Sequence, residues 1–338
     1  MPNLISDSEI LSIISNFDAS IAEYEIIDME KYQGWSSKYL YLLVSADDNF
    51  ILKAKTADQI DGYDNEVKVC NALLEIGIPG RRPILTKSGG IFYEQNGLHW
   101  CLMTYIPGAP SHVNEYTENT VSSLAAHIDQ YVVASTSQKK LKNLGIRQTS
   151  KQDGLKILGQ FVSEKSFLES VGVLKGSDLD TLYPLINEGY EKFLKNLRIE
   201  SILHNDMNPR NILIDHKSKN VISLIDWDHV GYGNPLKDVS DAVAIFYDFL
   251  SLQDALKYKK LFYKSFTSPW FTEINPMAIE YAFLFYFTVA KWQAVLFYLN
   301  LLREYDNKYG ERDRFISEMK QIYAKWKSVI VALSSATN

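Results

Sequence analysis

The spacing of apolar residues changes character along this chain. Up to residue 105, short apolar runs between turn residues predict strands at 24–29, 39–44, 50–53, 91–94 and 98–105. Two helices are predicted among them. Residues 7–17 form a short amphipathic one, and in 65–76 Val67, Cys70, Leu73 and Leu74 recur on one face. Gly77 and Pro79 close the second helix. From residue 114 onward the helical period takes over, at 117–136, 182–197, 239–250, 253–266, 276–302 and 312–333. In the last of these, Phe315, Met319, Ile322, Trp326, Val329 and Leu333 make one buried stripe. Residues 141–180 carry Gly154, Gly159, Gly172 and Gly176, show little period, and read as an insertion with short helices. There is no internal repeat. Pro107 and Gly108 break the last strand, which divides an α+β chain into residues 1–106 and 108–338.

Composition narrows the class. With 338 residues, 46% hydrophobic and 22% charged, the chain is an ordinary soluble globular one, long enough for two lobes. A net charge of -6 argues against a nucleic-acid partner, which asks for a basic face, and is compatible with a cationic substrate. Cys70 and Cys101 suggest neither a disulfide framework nor a zinc site, and suit a reducing cytoplasm. The start, Met1-Pro2-Asn3-Leu4-Ile5, has no basic or long apolar run and does not read as a signal peptide. Residues 281–302 are rich in aromatic and aliphatic side chains, but Lys291, Gln293 and Asn300 interrupt them. A core helix is expected there rather than a membrane span.

The chemistry is concentrated between residues 204 and 226. His204-Asn205-Asp206, then Asn211 opening the apolar run Ile212-Leu213-Ile214, then Ile225-Asp226-Trp227, form the pattern of a phosphoryl-transfer site. Such a site needs a carboxylate to hold and deprotonate the attacking hydroxyl, and Asp206 fits. It needs an amide oxygen and a carboxylate for Mg2+ on the nucleotide phosphates, and Asn211 and Asp226 fit. A hairpin of 212–214 with 221–225 would return Asp226 beside Asn211.

With its continuation through Asp228, Gly233 and Asp238, this stretch resembles the aminoglycoside phosphotransferase and choline kinase superfamily. It departs from that pattern at Arg210, often Gly, and at Asn234, often Asp. The resemblance implies a bilobal, protein-kinase-like fold with a small antiparallel-sheet N-terminal lobe and a mainly helical C-terminal lobe. It places a hinge at 103–107, a catalytic loop at 204–211 and a metal-binding segment at 225–228. It also implies ATP or GTP as co-substrate. Lys53 would hold the nucleotide phosphates, with Lys55 as the alternative on the same strand face, and Glu66 would orient the lysine. Ser36 and Ser37 would lie in the turn over the phosphates, and Met103, Thr104, Tyr105 and Ile106 would meet the nucleobase. His204 would brace the loop, and Asp238 would tie it down by accepting backbone N–H bonds. Asp228 would serve loop geometry or face the substrate.

The leading expectation is therefore a small-molecule kinase whose acceptor is a hydroxyl of an aminoglycoside-like antibiotic or an amino alcohol. A catalytically silent nucleotide-binding pseudokinase would lack a base or a metal ligand, and all three are present. A protein kinase would carry an Arg between His and Asp, a Gly two after the metal aspartate and an A-P-E segment, none of which is found.

Overall fold

The computed structural model describes residues 5–19, 24–29, 39–46, 48–57, 60–137, 141, 144–149, 151–305 and 311–337. The chain separates into two compact units, each built from several segments. The first comprises residues 1–112, 137–146 and 209–230, and the second comprises 113–136, 147–208 and 231–338. A strand-rich N-terminal region and a helix-rich C-terminal region make this an α+β fold.

In the first unit, helix α1 (Asp7–Ile14) precedes strands β1 (Glu25–Asp28), β2 (Tyr39–Val44) and β3 (Asn49–Lys55). Helix α2 (Ile60–Glu75) and strands β4 (Pro83–Ile84), β5 (Tyr93–Gln95), β6 (Leu98–Thr104) and β7 (Ala109–Pro110) follow. An antiparallel sheet runs in the order β1-β2-β3-β6-β4, and β5 pairs with β6. Side chains alternate across β3. Phe50, Leu52 and Ala54 join Ile10, Ile13 and Ile14 of α1, Tyr41, Trp100 and Leu102 in one apolar core. Lys53 and Lys55 therefore share the other face. There Cys101, the register partner of Lys53, packs with Val67 of α2 and Met103. Helix α1 starts at a capping box, with Ser6 and Glu9 satisfying each other's backbone N–H groups. It is shorter than expected because the chain turns at Ser15 and brings Phe17 against Thr86.

Helix α2 begins at Ile60, a full turn before the expected start. Glu66 consequently lies inside the helix and does not open it. The end matches the expectation, since Gly77 N–H donates to Leu74 O at 3.0 Å and Ile78 N–H to Leu73 O at 3.0 Å. The strand expected at 91–94 is displaced to Tyr93–Gln95.

In the second unit come α3 (Glu118–Ser137), α4 (Lys151–Ser163), α5 (Lys165–Ser170), α6 (Gly176–Gly189) and a π turn at Tyr190–Leu194. Strand β8 (Ser201–Leu203) follows. Strands β9 (Ile212–Ile214) and β10 (Val221–Leu224) belong to the first unit, where β7 adds to their hairpin. Strand β11 (Gly231–Gly233) pairs with β8, and α7 (Leu236–Phe249), α8 (Leu252–Lys264), α9 (Pro269–Thr272), α10 (Pro276–Tyr305) and α11 (Arg312–Thr337) complete the unit. The stretch 141–180, expected to be an insertion with short helices, holds α4, α5 and the start of α6. Its glycines hide the period. A Cβ at Gly154 would meet the Phe285 ring 2.8 Å away, so the small residue there permits close packing on α10.

Helix α10 is long and apolar enough to cross a membrane by length and composition, yet most of it is buried within the unit. Trp292 stacks on Phe161 with ring centroids 4.2 Å apart, and Trp326 of α11 donates its indole N–H to Thr288 Oγ1 at 2.9 Å. Both tryptophans are fully buried. Trp326→Ala is expected to lower unfolding free energy by about 3–5 kcal/mol, read as a shift of the denaturant midpoint. An unchanged midpoint would show that this cluster does not support the unit.

Candidate active site

The first unit gathers a set of opposed charges around Lys53. The Lys53 ammonium forms an ion pair with Asp226 and lies 3.8 Å from Glu66 Oε2. Its neighbour two residues on, Lys55, pairs with Asp228. Strand period brings both lysines to one face. The 3-10 turn Trp227–His229, which packs against α2, offers the two aspartates two residues apart. Of the two lysines, Lys53 is the one paired with Glu66. Lys55 takes its own carboxylate.

Burial alone would pull the Lys53 ammonium down, but Asp226, Glu66 and Asp228 outweigh it and hold the group above its usual range. Burial likewise pushes the Asp226 carboxyl up. Lys53, by charge and hydrogen bond, and then Lys55 and Arg81 overcome that and keep it well below the ordinary carboxylate range. Glu66 shows the reverse balance: desolvation dominates, and its carboxyl is raised despite Lys53. Its Oε2 is buried without a hydrogen-bond partner.

Asp226 occupies the left-handed region at φ +66°. Kinases of the usual kind place a Gly two residues after this aspartate; here Asp228 stands at that position, and between the two the buried Trp227 indole donates to Leu224 O at 3.0 Å. The hairpin β9–β10 sets Asn211 near this turn, for Ile212 is the register partner of Leu224 and Ile225 N–H donates to Asn211 O at 2.9 Å. The predicted return of Asp226 beside Asn211 is what the hairpin provides.

These two residues suit Mg2+. They offer only oxygen donors, Asp226 is held ionised, and its side chain is 23% exposed. Among the described residues no group of three or more His, Cys, Asp or Glu forms a ready cage.

The expected hinge lies at the end of β6. Met103 is buried. Thr104 is fixed by its neighbours: its N–H donates to Arg82 O at 2.9 Å, and its Oγ1 accepts from Arg82 N–H at 2.8 Å. Tyr105 N–H donates to Asn49 O at 2.9 Å. Ile106 follows in an irregular segment. Ser36 and Ser37 lie outside the described residues.

In the second unit, one buried carboxylate organises the 204–208 loop. Asp238 accepts from His204 N–H at 2.6 Å, from Asn205 N–H at 3.0 Å and from the Tyr131 hydroxyl at 2.6 Å. Burial and the Asp238 charge together push the Tyr131 phenol far up, so it stays a donor. Asp206 N–H reaches His204 Nδ1 at 3.3 Å, and Asn208 donates its side-chain amide to Asp206 Oδ1 at 2.9 Å. Asn205 is left-handed at φ +63°, and its amide donates to Thr149 Oγ1 at 3.2 Å. Gly231 is required here, because a Cβ would stand 2.2 Å from Thr149 Oγ1 and 2.6 Å from the Asn205 amide. Asn234, where Asp is frequent, precedes the Pro235 N-cap of α7, and its Oδ1 accepts from Leu236 N–H at 2.9 Å.

Sequence reasoning did not single out Arg81, Tyr131 or Thr149, and it left Asp228 open. Arg81 lies in the charge field of Glu66 and Asp226, burial lowers its guanidinium, and its Nε is buried without a partner. It stands in a Gly-Arg-Arg-Pro loop that carries no pattern of its own.

A lysine held between a helix glutamate and a hairpin aspartate, with a His-Asn-Asp loop tied down by a further aspartate, defines a kinase-like phosphotransferase. The profile of the "phosphotransferase enzyme family" matches residues 32–260, and the chain belongs to that family. It is an enzyme of the kinase type, a phosphotransferase with an alcohol group as acceptor. No curated protein matches it in sequence. Among solved structures, the GDP complex of wild-type aminoglycoside 2'-phosphotransferase-IIIa is 14% identical, covering 96% of this chain and 99% of that one, with a TM-score of 0.62. Spectinomycin phosphotransferase in complex with ADP and spectinomycin is 14% identical, covering 96% and 98%, with a TM-score of 0.64. A microcompartment-associated aminopropanol kinase is 14% identical, covering 98% of each chain, with a TM-score of 0.65. At these identities the likeness shows a shared fold.

Two outcomes follow from the charges. Lys53→Met is expected to destabilise the protein at neutral pH by about 3–5 kcal/mol, since a buried carboxylate loses its partner. The Asp226 carboxyl is depressed in the folded state, so its contribution is present above the unfolded value near about 4 and is lost as pH falls through the folded one. The gap between variant and wild type should therefore narrow below about pH 4 in stability measurements across pH. A gap that does not change with acid would contradict the pairing. Asp238→Ala should lose stability and turnover together, because two loop N–H groups and the Tyr131 hydroxyl lose their acceptor. A fully stable variant of normal activity would remove its role.

Proposed function

We propose that this enzyme transfers the terminal phosphoryl group of ATP or GTP to a hydroxyl of an aminoglycoside-like antibiotic or an amino alcohol. The observation that carries the reading is the convergence of Lys53, Glu66 and Asp226 in one unit. In a nucleotide kinase the lysine grips phosphates, the glutamate steadies it, and the aspartate faces the metal. Lys53 pairs with Asp226, and on this reading it would turn to the phosphates of a bound nucleotide.

The remaining roles follow from chemistry. Asp206 holds the acceptor hydroxyl and takes its proton late, as suits a loose transition state in which positioning matters more than strong base. His204 and Asn208 fix that carboxylate's loop. Asn211 and Asp226 would hold Mg2+, which when bound neutralises charge on the transferring phosphates. Ser36 and Ser37 would donate to phosphate oxygens. Within the 103–106 stretch, the N–H groups of Thr104 and Tyr105 are already engaged. That favours the Tyr105 carbonyl and the Ile106 N–H as the groups that read the nucleobase.

The acceptor class draws support from the solved structures. One binds spectinomycin and another is named an aminopropanol kinase. An acceptor carrying both amine and hydroxyl suits this chain's net charge of -6, and a cytoplasmic location suits its two reduced cysteines.

Asp206→Ala should reduce turnover by about 100-fold or more while nucleotide binding persists, measured as nucleotide consumption beside a binding titration. Normal turnover in that variant would overturn the assignment of the base. Asp226→Ala should abolish the Mg2+-dependent part of nucleotide affinity, and retained Mg2+ dependence would remove Asp226 from the metal site.

A further inference from the structure

Strand β3 presents two lysines to one face, and the turn after β10 answers with two aspartates. The two ion pairs are not equivalent. Lys53 is shared between Asp226 and Glu66, and the Asp226 side chain is 23% exposed. Lys55 and Asp228 are closed to solvent, with side chains 1% and 4% exposed. A ligand can open the outer pair but cannot reach the inner one. The turn also needs holding, because Asp226 sits at φ +66°, a conformation that a non-glycine residue keeps only when its surroundings impose it. Trp227 is pinned to Leu224 O by its indole, and Asp228 is pinned to β3 by Lys55.

We infer that Lys55 is a positioning residue for magnesium: through Asp228 it keeps the Asp226 carboxylate in place once Lys53 has left it for the nucleotide phosphates. The inference rests on the reading of Asp226 as a metal ligand given above. Lys53 and Lys55 share a strand but not a task. Lys53 holds Asp226 only while the nucleotide is absent, whereas the Lys55–Asp228 pair persists through the cycle. Without Lys55, the buried Asp228 carboxylate loses its ion-pair partner on β3. The turn must then move to hydrate it, and Asp226 moves with it. Residues that orient a metal ligand without touching the ion typically change metal affinity by about 10–100-fold when removed.

The test is a titration of Mg2+ into the enzyme with a fluorescent ATP analogue and no acceptor, so that binding is read without turnover. For Lys55→Met, affinity for the analogue without Mg2+ should stay at the wild-type value, because Lys53 is intact. The Mg2+ concentration that half-saturates the tightening should rise about 10–100-fold. Lys55→Arg, which keeps the charge, should recover most of that shift. If Lys55→Met does not fold, Lys55→Met/Asp228→Leu carries the test. Replacing the buried pair by apolar groups restores thermal stability, and the raised Mg2+ requirement should remain. A wild-type Mg2+ requirement in either variant overturns the inference. So does a requirement raised by Asp228→Asn but not by Lys55→Met, which would make Asp228 itself the ligand. Asp226→Ala runs in the same titration. If it keeps its Mg2+ dependence, the metal reading of Asp226 has failed, and this inference falls with it.

Discussion

Buried charge is tolerated only where it is neutralised, and the first unit is arranged around that requirement. Lys53, Lys55 and Arg81 supply three cations, and Glu66, Asp226 and Asp228 supply three anions, within one set of mutual fields. No single element could assemble them. The period of β3 brings the lysines to one face, α2 lays Glu66 against it, and the β9–β10 hairpin delivers the aspartates. The balance is deliberately incomplete. Glu66 Oε2 and Arg81 Nε are buried with no hydrogen-bond partner, and the Lys53 to Glu66 separation of 3.8 Å is longer than a good hydrogen bond.

The second unit solves a different problem with the same economy. The short loop carrying Asp206, the proposed base, is rigid yet leaves that residue partly exposed. Asp238, on the first turn of α7, takes two consecutive backbone N–H groups of that loop, and Tyr131 completes its coordination. Thr149 and the bare backbone of Gly231 press the left-handed Asn205 from the other side. Catalysis by positioning depends on such supports as much as on the base, because the transition state asks the protein for placement more than for covalent chemistry.

Much of this was legible in the sequence, for a physical reason. Residues that must meet across a hairpin keep fixed spacing, so Asn211 and Asp226 and the apolar runs between them could be read directly, whereas Asp238 came with the family resemblance. The long helices at 276–305 and 312–337 were equally plain, because their buried faces repeat over many turns. The illegible parts are those that depend on contacts between distant segments. Arg81 and Thr149 stand in loops with no period. The two-residue strands β4 and β7 are too short to leave a pattern. The extents of the short helices between 151 and 189 were blurred by glycines of different roles: Gly154 packs closely on Phe285, whereas Gly172, at φ +69°, follows a helix end. Lys55 looked like a substitute for Lys53 because strand period alone cannot say which carboxylate each lysine will meet. Only the turn carrying Asp226 and Asp228 settles that.

The central proposal is that this phosphotransferase moves phosphate from a nucleotide to an amine-bearing small alcohol. The most direct measurement is 31P NMR of wild-type enzyme with ATP or GTP, Mg2+ and a panel of aminoglycosides, aminocyclitols and short amino alcohols. The account predicts a new phosphate-ester resonance with one acceptor class, absent when Asp206→Ala replaces the wild type. Hydrolysis to inorganic phosphate alone, or an ester that persists in the Asp206→Ala protein, would contradict it.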